Sequence, residues 1–102
     1  MIHILVVRPE ARKELEEAYQ WYEAQRQGLG EELKDSLLDC VAKIRDGPDA
    51  YPAVSKNVRR ARLKRFPYAV FFHTAGESLV IDSVFHLRRN PKAWRRRIRE
   101  TG

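Results

Sequence analysis

The chain has 102 residues, of which 43% are hydrophobic and 33% are charged, as is typical of a single soluble globular domain. No apolar run approaches the ~18 residues that a membrane span needs. Cys40 is the only cysteine, which excludes an internal disulfide, and the apolar start has no basic leader. We therefore expect one domain over residues 1–102 that is not exported and works in the reducing cytoplasm.

The net charge of +6 is distributed unevenly along the chain. Residues 1–51 contain seven Lys/Arg and eleven Asp/Glu, for a net charge of −4, whereas residues 52–102 contain thirteen and three, for a net charge of +10. Such asymmetry is typical of a protein whose basic half meets a polyanion or an acidic protein. The alternative is a basic surface that has no dedicated partner.

The first half of the chain predicts a strand and two helices. Residues 2–7 are an apolar, β-branched run that predicts a buried strand. Pro9 is suited to the first turn of a helix, and the glycines at 28 and 30 break that helix. The first helix has an apolar face of Ala11, Leu15, Ala18 and Tyr22, and the second has Leu33, Leu37, Val41 and Ile44, with Leu38 and Cys40 beside it. The short linker between them predicts an antiparallel hairpin.

The second half predicts three strands and a final helix. Strands are expected at about residues 58–63, 68–73 and 79–85, with a hairpin turn at 74–77. Asn90 and Pro91 are expected to cap a short C-terminal helix that contains Trp94 and Ile98. The predicted fold is α+β, in the order β-α-α-β-β-β-α. It has an N-terminal strand, a helical hairpin, a three- to four-stranded antiparallel sheet and a short C-terminal helix.

Arginines stand at the ends of two of the predicted strands. Guanidinium groups match phosphate and carboxylate oxygens bidentately, so these residues predict an anion- or nucleic-acid-binding surface. Its candidate residues are Arg59, Arg60, Arg65, Arg88 and Arg89. Arg65 precedes one strand, and Arg88 and Arg89 follow its antiparallel neighbour. We therefore predict that these three converge at one end of the sheet.

His86 is the candidate acid or base, because histidine titrates near neutrality and this one precedes two arginines. Its alternative role is to bridge backbone groups at the sheet edge. His3 and His73 are interpreted as structural. Three scattered histidines and one cysteine offer no metal-ligand spacing, and there is no glycine-rich phosphate loop, so neither a metal nor a cofactor is expected.

Several stretches of the chain, in this order, resemble a known family. They are residues 17–23 (EAYQWYE), 28–33 (GLGEEL), Arg59 with Arg60, 64–68 (KRFPY) and 85–91 (FHLRRNP) with Trp94. The chain resembles the RelE/ParE superfamily of toxins of type II toxin–antitoxin systems over nearly its whole length, and its ParE-like, "plasmid stabilisation" branch most closely. The resemblance implies a curved antiparallel sheet beside a helical hairpin, and a cognate antitoxin as partner.

The family has two modes of growth inhibition: some members cleave mRNA on the ribosome, and others inhibit DNA gyrase without catalysis. As a ribosome-dependent endoribonuclease, the protein would use His86, Arg65 and Arg89 as catalytic residues. Nuclease members commonly have an arginine where Tyr68 stands, and a tyrosine in the C-terminal segment, where this chain has none. The basic sheet end favours the nuclease and these differences favour the gyrase inhibitor. A non-toxic RNA-binding or scaffold module of the same fold is the third alternative.

Overall fold

The computed structural model describes residues 2–89, 92 and 95–97 of the chain. Its strands are β1 (Ile4–Val7), β2 (Arg59–Arg62), β3 (Tyr68–Ala75) and β4 (Ser78–His86), and its helices are α1 (Pro9–Gln25) and α2 (Leu29–Asp46), followed by a 3₁₀ turn (Pro48–Ala50). Residues 95–97 are helical, as the predicted C-terminal helix requires. The prediction also named a cap, at Asn90 and Pro91, and two apolar members of the helix, Trp94 and Ile98. All four lie outside the described residues. Within the described part of the chain, neither helix is long and apolar enough to cross a membrane.

The helical hairpin follows from local signals. Pro9 and Glu10 occupy the first turn of α1, where a missing N–H and a negative charge are both favourable. Gly28 has a φ of 91°, a left-handed conformation that glycine adopts without strain, and it begins α2 directly. The apolar faces of both helices pack on the sheet and form the main core with Val70, Phe72 and Leu79. Leu38 was predicted beside the apolar face of α2, but its side chain is 54% exposed and lies outside the core.

The sheet has the order β1-β4-β3-β2. β2, β3 and β4 are antiparallel as predicted, and Gly76, with a φ of 59°, lies in the turn that joins β3 to β4. β1 joins in parallel with β4, so the complete sheet is mixed rather than wholly antiparallel. The prediction of a three- to four-stranded antiparallel sheet therefore holds for three strands. The fourth differs because the helical hairpin and two strands separate β1 from β4 in the chain, so no tight turn sets their direction.

The prediction that the first strand is buried is wrong. Ile4, Leu5 and Val6 are 51%, 38% and 41% exposed. Among the described residues, β1 is an edge strand that pairs with β4 alone, and the strand order leaves its other side unpaired. The apolar run at residues 2–7 therefore belongs to a strand at the edge of the sheet and not to a central strand.

β1 covers only the first half of β4, from Ser78 to Ile81. Beyond that point, side chains satisfy the edge of β4. The backbone N–H of Val84 donates to Glu14 Oε1 over 3.0 Å, and Arg97 Nη2 donates to the carbonyl of Asp82 over 2.9 Å. Arg97 also forms an ion pair with Glu14. We call Glu14 and Arg97 the edge clasp, because the pair joins α1 and residues 95–97 to β4.

Close packing of the two helices predicts a large effect of a small change at Gly30. A Cβ there would lie 2.7 Å from Glu23 Cγ and 2.9 Å from the carbonyl oxygen of Tyr19. We expect Gly30→Ala to lower the free energy of unfolding by about 1–3 kcal/mol, because the helices must move apart. Gly47→Ala is the matched control, since no atom lies within 4 Å of its added Cβ. Equal melting temperatures for the two variants would contradict the prediction.

Candidate functional site

The start of β3 and the end of β4 meet at one end of the sheet. Tyr68 is paired with His86 in the antiparallel register, and the backbone N–H of Leu87 donates to the carbonyl of Pro67 over 2.8 Å. The ring centroids of Tyr68 and His86 are 5.0 Å apart, and the rings are arranged edge to face. This backbone pairing holds the two side chains side by side on the face that α1 covers.

The imidazole of His86 is held by the turn that follows it. Its Nδ1 accepts hydrogen bonds from the backbone N–H groups of Arg88 and Arg89, each over 3.1 Å. Burial lowers the pKa of His86, and the charges of Arg89 and Arg88 lower it further. The neutral ring is therefore favoured. Because Nδ1 accepts, its proton lies on Nε2.

Arg89 lies between two aromatic side chains. Its Nη2 donates to the hydroxyl of Tyr68 over 3.1 Å, and its guanidinium stands over the ring of Trp21 at 5.4 Å from the centroid. Burial raises the pKa of the Tyr68 hydroxyl, and Arg89 opposes that rise. Trp21 is 48% exposed, so the side chain that supports Arg89 is itself open to a partner.

These residues line one groove of about 380 Å³ between α1 and β4. Arg89 and His86 lie on one side, and Glu14 and Glu17 of α1 lie on the other. We call this feature the His86 groove. It has aromatic walls, one engaged arginine and a neutral imidazole, and such a surface is suited to holding an amphipathic or hydrogen-bonding group.

Arg65 is engaged elsewhere. Its Nη2 donates to Glu32 Oε1 over 2.6 Å, and Arg26 binds the other oxygen of the same carboxylate over 2.7 Å. Hydrogen bonds from these two arginines lower the pKa of Glu32. The backbone of Arg65 has a φ of 71°, which turns the chain just before β3. The backbone of Arg65 therefore leads into β3, while its guanidinium is paired at the start of α2.

Arg59 and Arg60 lie farther along the sheet. They are opposite Phe72 and Phe71 in the register. At ~3.3 Å per residue, Arg59 is therefore roughly 13 Å from the level of Tyr68. Its Nη1 donates to the carbonyl of Tyr51 over 2.6 Å. The five predicted arginines thus lie in three separate places. Arg88 and Arg89 are the two that lie beside His86.

Sequence reasoning missed two features. It did not connect Trp21 with Arg89, over whose guanidinium carbon the structure places this ring. It also missed that His73 Nδ1 lies 2.7 Å from Oδ2 of Asp82, whose side chain is fully buried. The available signal was a carboxylate within an otherwise apolar strand, since a buried charge needs a partner. Among the described residues, no group of three His, Cys, Asp or Glu side chains is arranged to hold a metal ion.

Comparison with known proteins agrees with this architecture. A solved chain of the chromosomal ParDE toxin–antitoxin system from P. aeruginosa superposes with a TM-score of 0.72 at 17% sequence identity, over 83% of this chain and 96% of that one. At this identity the match concerns the fold, a small sheet beside a helical hairpin. Residues 5–91 match the family described as the ParE toxin of type II toxin–antitoxin systems, and the chain belongs to that family. The search of curated proteins found no match.

Proposed function

We propose that this protein is the toxin of a toxin–antitoxin pair, that an acidic antitoxin neutralises it, and that it inhibits growth by binding DNA gyrase without catalysis. It acts as a single domain in the cytoplasm. Membership of the ParE family supports the toxin, and the net charge of +10 in residues 52–102 supports an acidic partner. Gyrase as target is an inference from the family resemblance and from the chemistry of the His86 groove.

The hydrogen bonds of His86 carry the non-catalytic proposal. A general base needs a free lone pair on the nitrogen that faces the substrate. The lone pair of Nδ1 is engaged by the backbone of Arg88 and Arg89, and in the neutral ring Nε2 carries the proton. The lowered pKa of His86 also makes the protonated ring a minor form at neutral pH, so a general acid is disfavoured as well.

The composition of the groove supports a protein target. Tryptophan, tyrosine and arginine are the residues in which binding energy concentrates at protein interfaces. Trp21 and Arg89 form such a pair, with the ring exposed and the guanidinium held over it. A phosphate-cleaving site needs several cations around one phosphate. In contrast, the guanidinium of Arg65 is bound to Glu32, a carboxylate that it shares with Arg26.

The second candidate is a ribosome-dependent endoribonuclease that uses His86, Arg65 and Arg89. The basic end of the sheet favours it, because Arg88 and Arg89 both border His86. Brief induction in cells separates the alternatives. In the induced cells we expect DNA damage signalling with intact mRNA. In a separate assay we expect the purified protein to inhibit purified gyrase. Cut mRNA with unaffected gyrase would support the nuclease, and normal growth would support a non-toxic RNA-binding or scaffold module. A neighbouring gene product that neither co-purifies nor restores growth would contradict the antitoxin proposal.

Substituting His86 with asparagine provides a direct test of catalysis. The amide oxygen of asparagine can replace Nδ1 as acceptor for the two backbone N–H groups, but it cannot take or give a proton. We expect His86→Asn to remain toxic. A general acid or base contributes about 10²–10⁴-fold to a rate, so a loss of RNA cleavage on that scale would instead establish the nuclease. His86→Ala is the comparison variant, because it removes the acceptor as well as the proton chemistry.

A further inference from the structure

A second cleft lies at the other end of β3, away from the His86 groove. Its volume is about 370 Å³. His73 and Thr74 of β3 form one wall, Arg59 of β2 forms another, and Lys56 and Asn57 lie in the turn that precedes β2. We call it the His73 cleft. Its lining is strongly basic, with Asp49 as its acidic member.

The side chain of His73 is held in one orientation. Its Nδ1 is 2.7 Å from Oδ2 of Asp82, and the Asp82 side chain is fully buried while that of His73 is 28% exposed. Arg8 also approaches this carboxylate, with its Nη1 3.7 Å from Oδ1. A buried carboxylate bound to Nδ1 fixes the tautomer and orientation of an imidazole, as it does behind ligand-binding histidines in general. Nε2 is then the nitrogen left to serve the cleft.

The backbone shapes the turn that carries Lys56, and it anchors the side chain of Arg59 directly. The turn that carries Lys56 is closed by the backbone N–H of Val54, which donates to the carbonyl of Val58 over 2.8 Å. The guanidinium of Arg59 is anchored on the carbonyl of Tyr51 over 2.6 Å. Asp49 lies 3.9 Å from Arg59, but its side chain is 98% exposed, so solvent screens this pair and the carboxylate is free to turn away.

We propose that the His73 cleft binds a phosphate group, with Lys56 and Arg59 as its principal donors. Nε2 of His73 is the third donor, in the doubly protonated imidazolium, because Nδ1–H is held by Asp82 and Nε2 of the neutral ring would carry a lone pair. Asn57 and Thr74 supply neutral donors for the remaining oxygens. The anchored guanidinium of Arg59 binds an oxyanion with a reduced ordering cost, and its planar group matches two phosphate oxygens at once. This function is separate from toxicity, because the residues involved are distinct from those of the His86 groove. The phosphate comes either from inorganic phosphate or from a nucleotide.

The test is a titration of the purified protein by ¹H–¹⁵N NMR, with inorganic phosphate, AMP and sodium chloride at matched ionic strength. We expect phosphate or AMP to shift the signals of residues 56, 57, 73 and 74, and chloride to leave them unchanged. Tighter binding of AMP would identify a nucleotide as the source, and equal binding would identify phosphate alone. Equal shifts with chloride, or no shift in these residues, would overturn the proposal.

Matched substitutions make the test specific. His73→Asn keeps a donor to Asp82 at the place of Nδ1 but removes Nε2, and Lys56→Gln removes one exposed charge. We expect each to weaken phosphate binding by about tenfold or more, as the loss of one charge-assisted hydrogen bond does. Lys43→Gln, an exposed change of the same charge in the last turn of α2, should have no such effect. Unchanged affinity in both cleft variants, with their folds verified by the same spectra, would also overturn the proposal.

Discussion

Reversing the charge of Arg89 is expected to abolish growth inhibition while the protein stays folded. The guanidinium is bound to Tyr68 and stands over an exposed tryptophan, so in the proposed function it lies at the centre of the surface that meets the target. Loss of a charged hydrogen bond weakens binding by about ten- to a hundredfold, and a carboxylate at that place cannot replace the guanidinium as a donor to the target. Toxicity on induction and affinity for the target are the measurements, with the melting temperature as the check on folding.

Two companion variants make this result interpretable. Arg89→Lys keeps the charge but loses the planar fork, so we expect an intermediate loss. Arg45→Glu makes the same charge reversal at an exposed residue in the last turn of α2, and it should remain fully toxic. Full toxicity of a stable Arg89→Glu protein would show that the target binds elsewhere. The helical hairpin would then be the better candidate.

Removing Glu14 is expected to produce the largest loss of stability. Its carboxylate accepts from the N–H of Val84 and pairs with Arg97, and both side chains of this edge clasp are largely buried. In Glu14→Ala, the backbone N–H of Val84 and the guanidinium of Arg97 both lose the Glu14 carboxylate as a partner. We expect the free energy of unfolding to fall by about 2–4 kcal/mol. Denaturant unfolding measures it, and Glu16→Ala, an exposed change on the same helix, is the control. Equal midpoints for the two variants would refute the role of the clasp.

The pH dependence of stability offers an independent check on Glu14. Burial raises the pKa of Glu14 above its ordinary value of 4.5, despite the opposing effects of Val84 and Arg97. A raised pKa in the folded state means that the native protein binds the proton more tightly than the unfolded chain does. The additional stability that protonation of Glu14 provides is therefore fully present below pH 4.5 and is lost as the pH rises through the folded-state pKa. Glu14→Gln should remove that pH dependence and lose less stability than Glu14→Ala, because the amide oxygen still accepts from Val84.

Local patterns were sufficient to predict most of the secondary structure. Pro9 and Gly28 mark helix ends through backbone chemistry that acts within a few residues, and the turn at Gly76 joins strands adjacent in the chain. The place of β1 was not predictable in this way. Its apolar run is compatible with a central or an edge strand, and the choice depends on which distant strand it pairs with.

The candidate site was predicted in part, for a comparable reason. His86, Arg88 and Arg89 are neighbours in the chain, so their proximity was visible in the sequence. The direction of the Arg65 side chain was not, because Glu32, its partner, lies 33 residues away on α2. Trp21 likewise reaches Arg89 only because α1 crosses β4.

The sequence by itself thus determined the order of the elements and the basic character of the second half, since these depend on composition and on short-range spacing. Its resemblance to a known family indicated the class of the protein. The tertiary structure decided where the charged side chains lie and which partners they bind. Pairing across the sheet separates Arg59 from His86 by several residues of β3. Glu32 of the helical hairpin binds the guanidinium of Arg65, and a bulge in β4 buries Asp82 against His73. Electrostatic and hydrogen-bond energies depend steeply on distance, and distances between residues far apart in the chain exist only once the chain has folded.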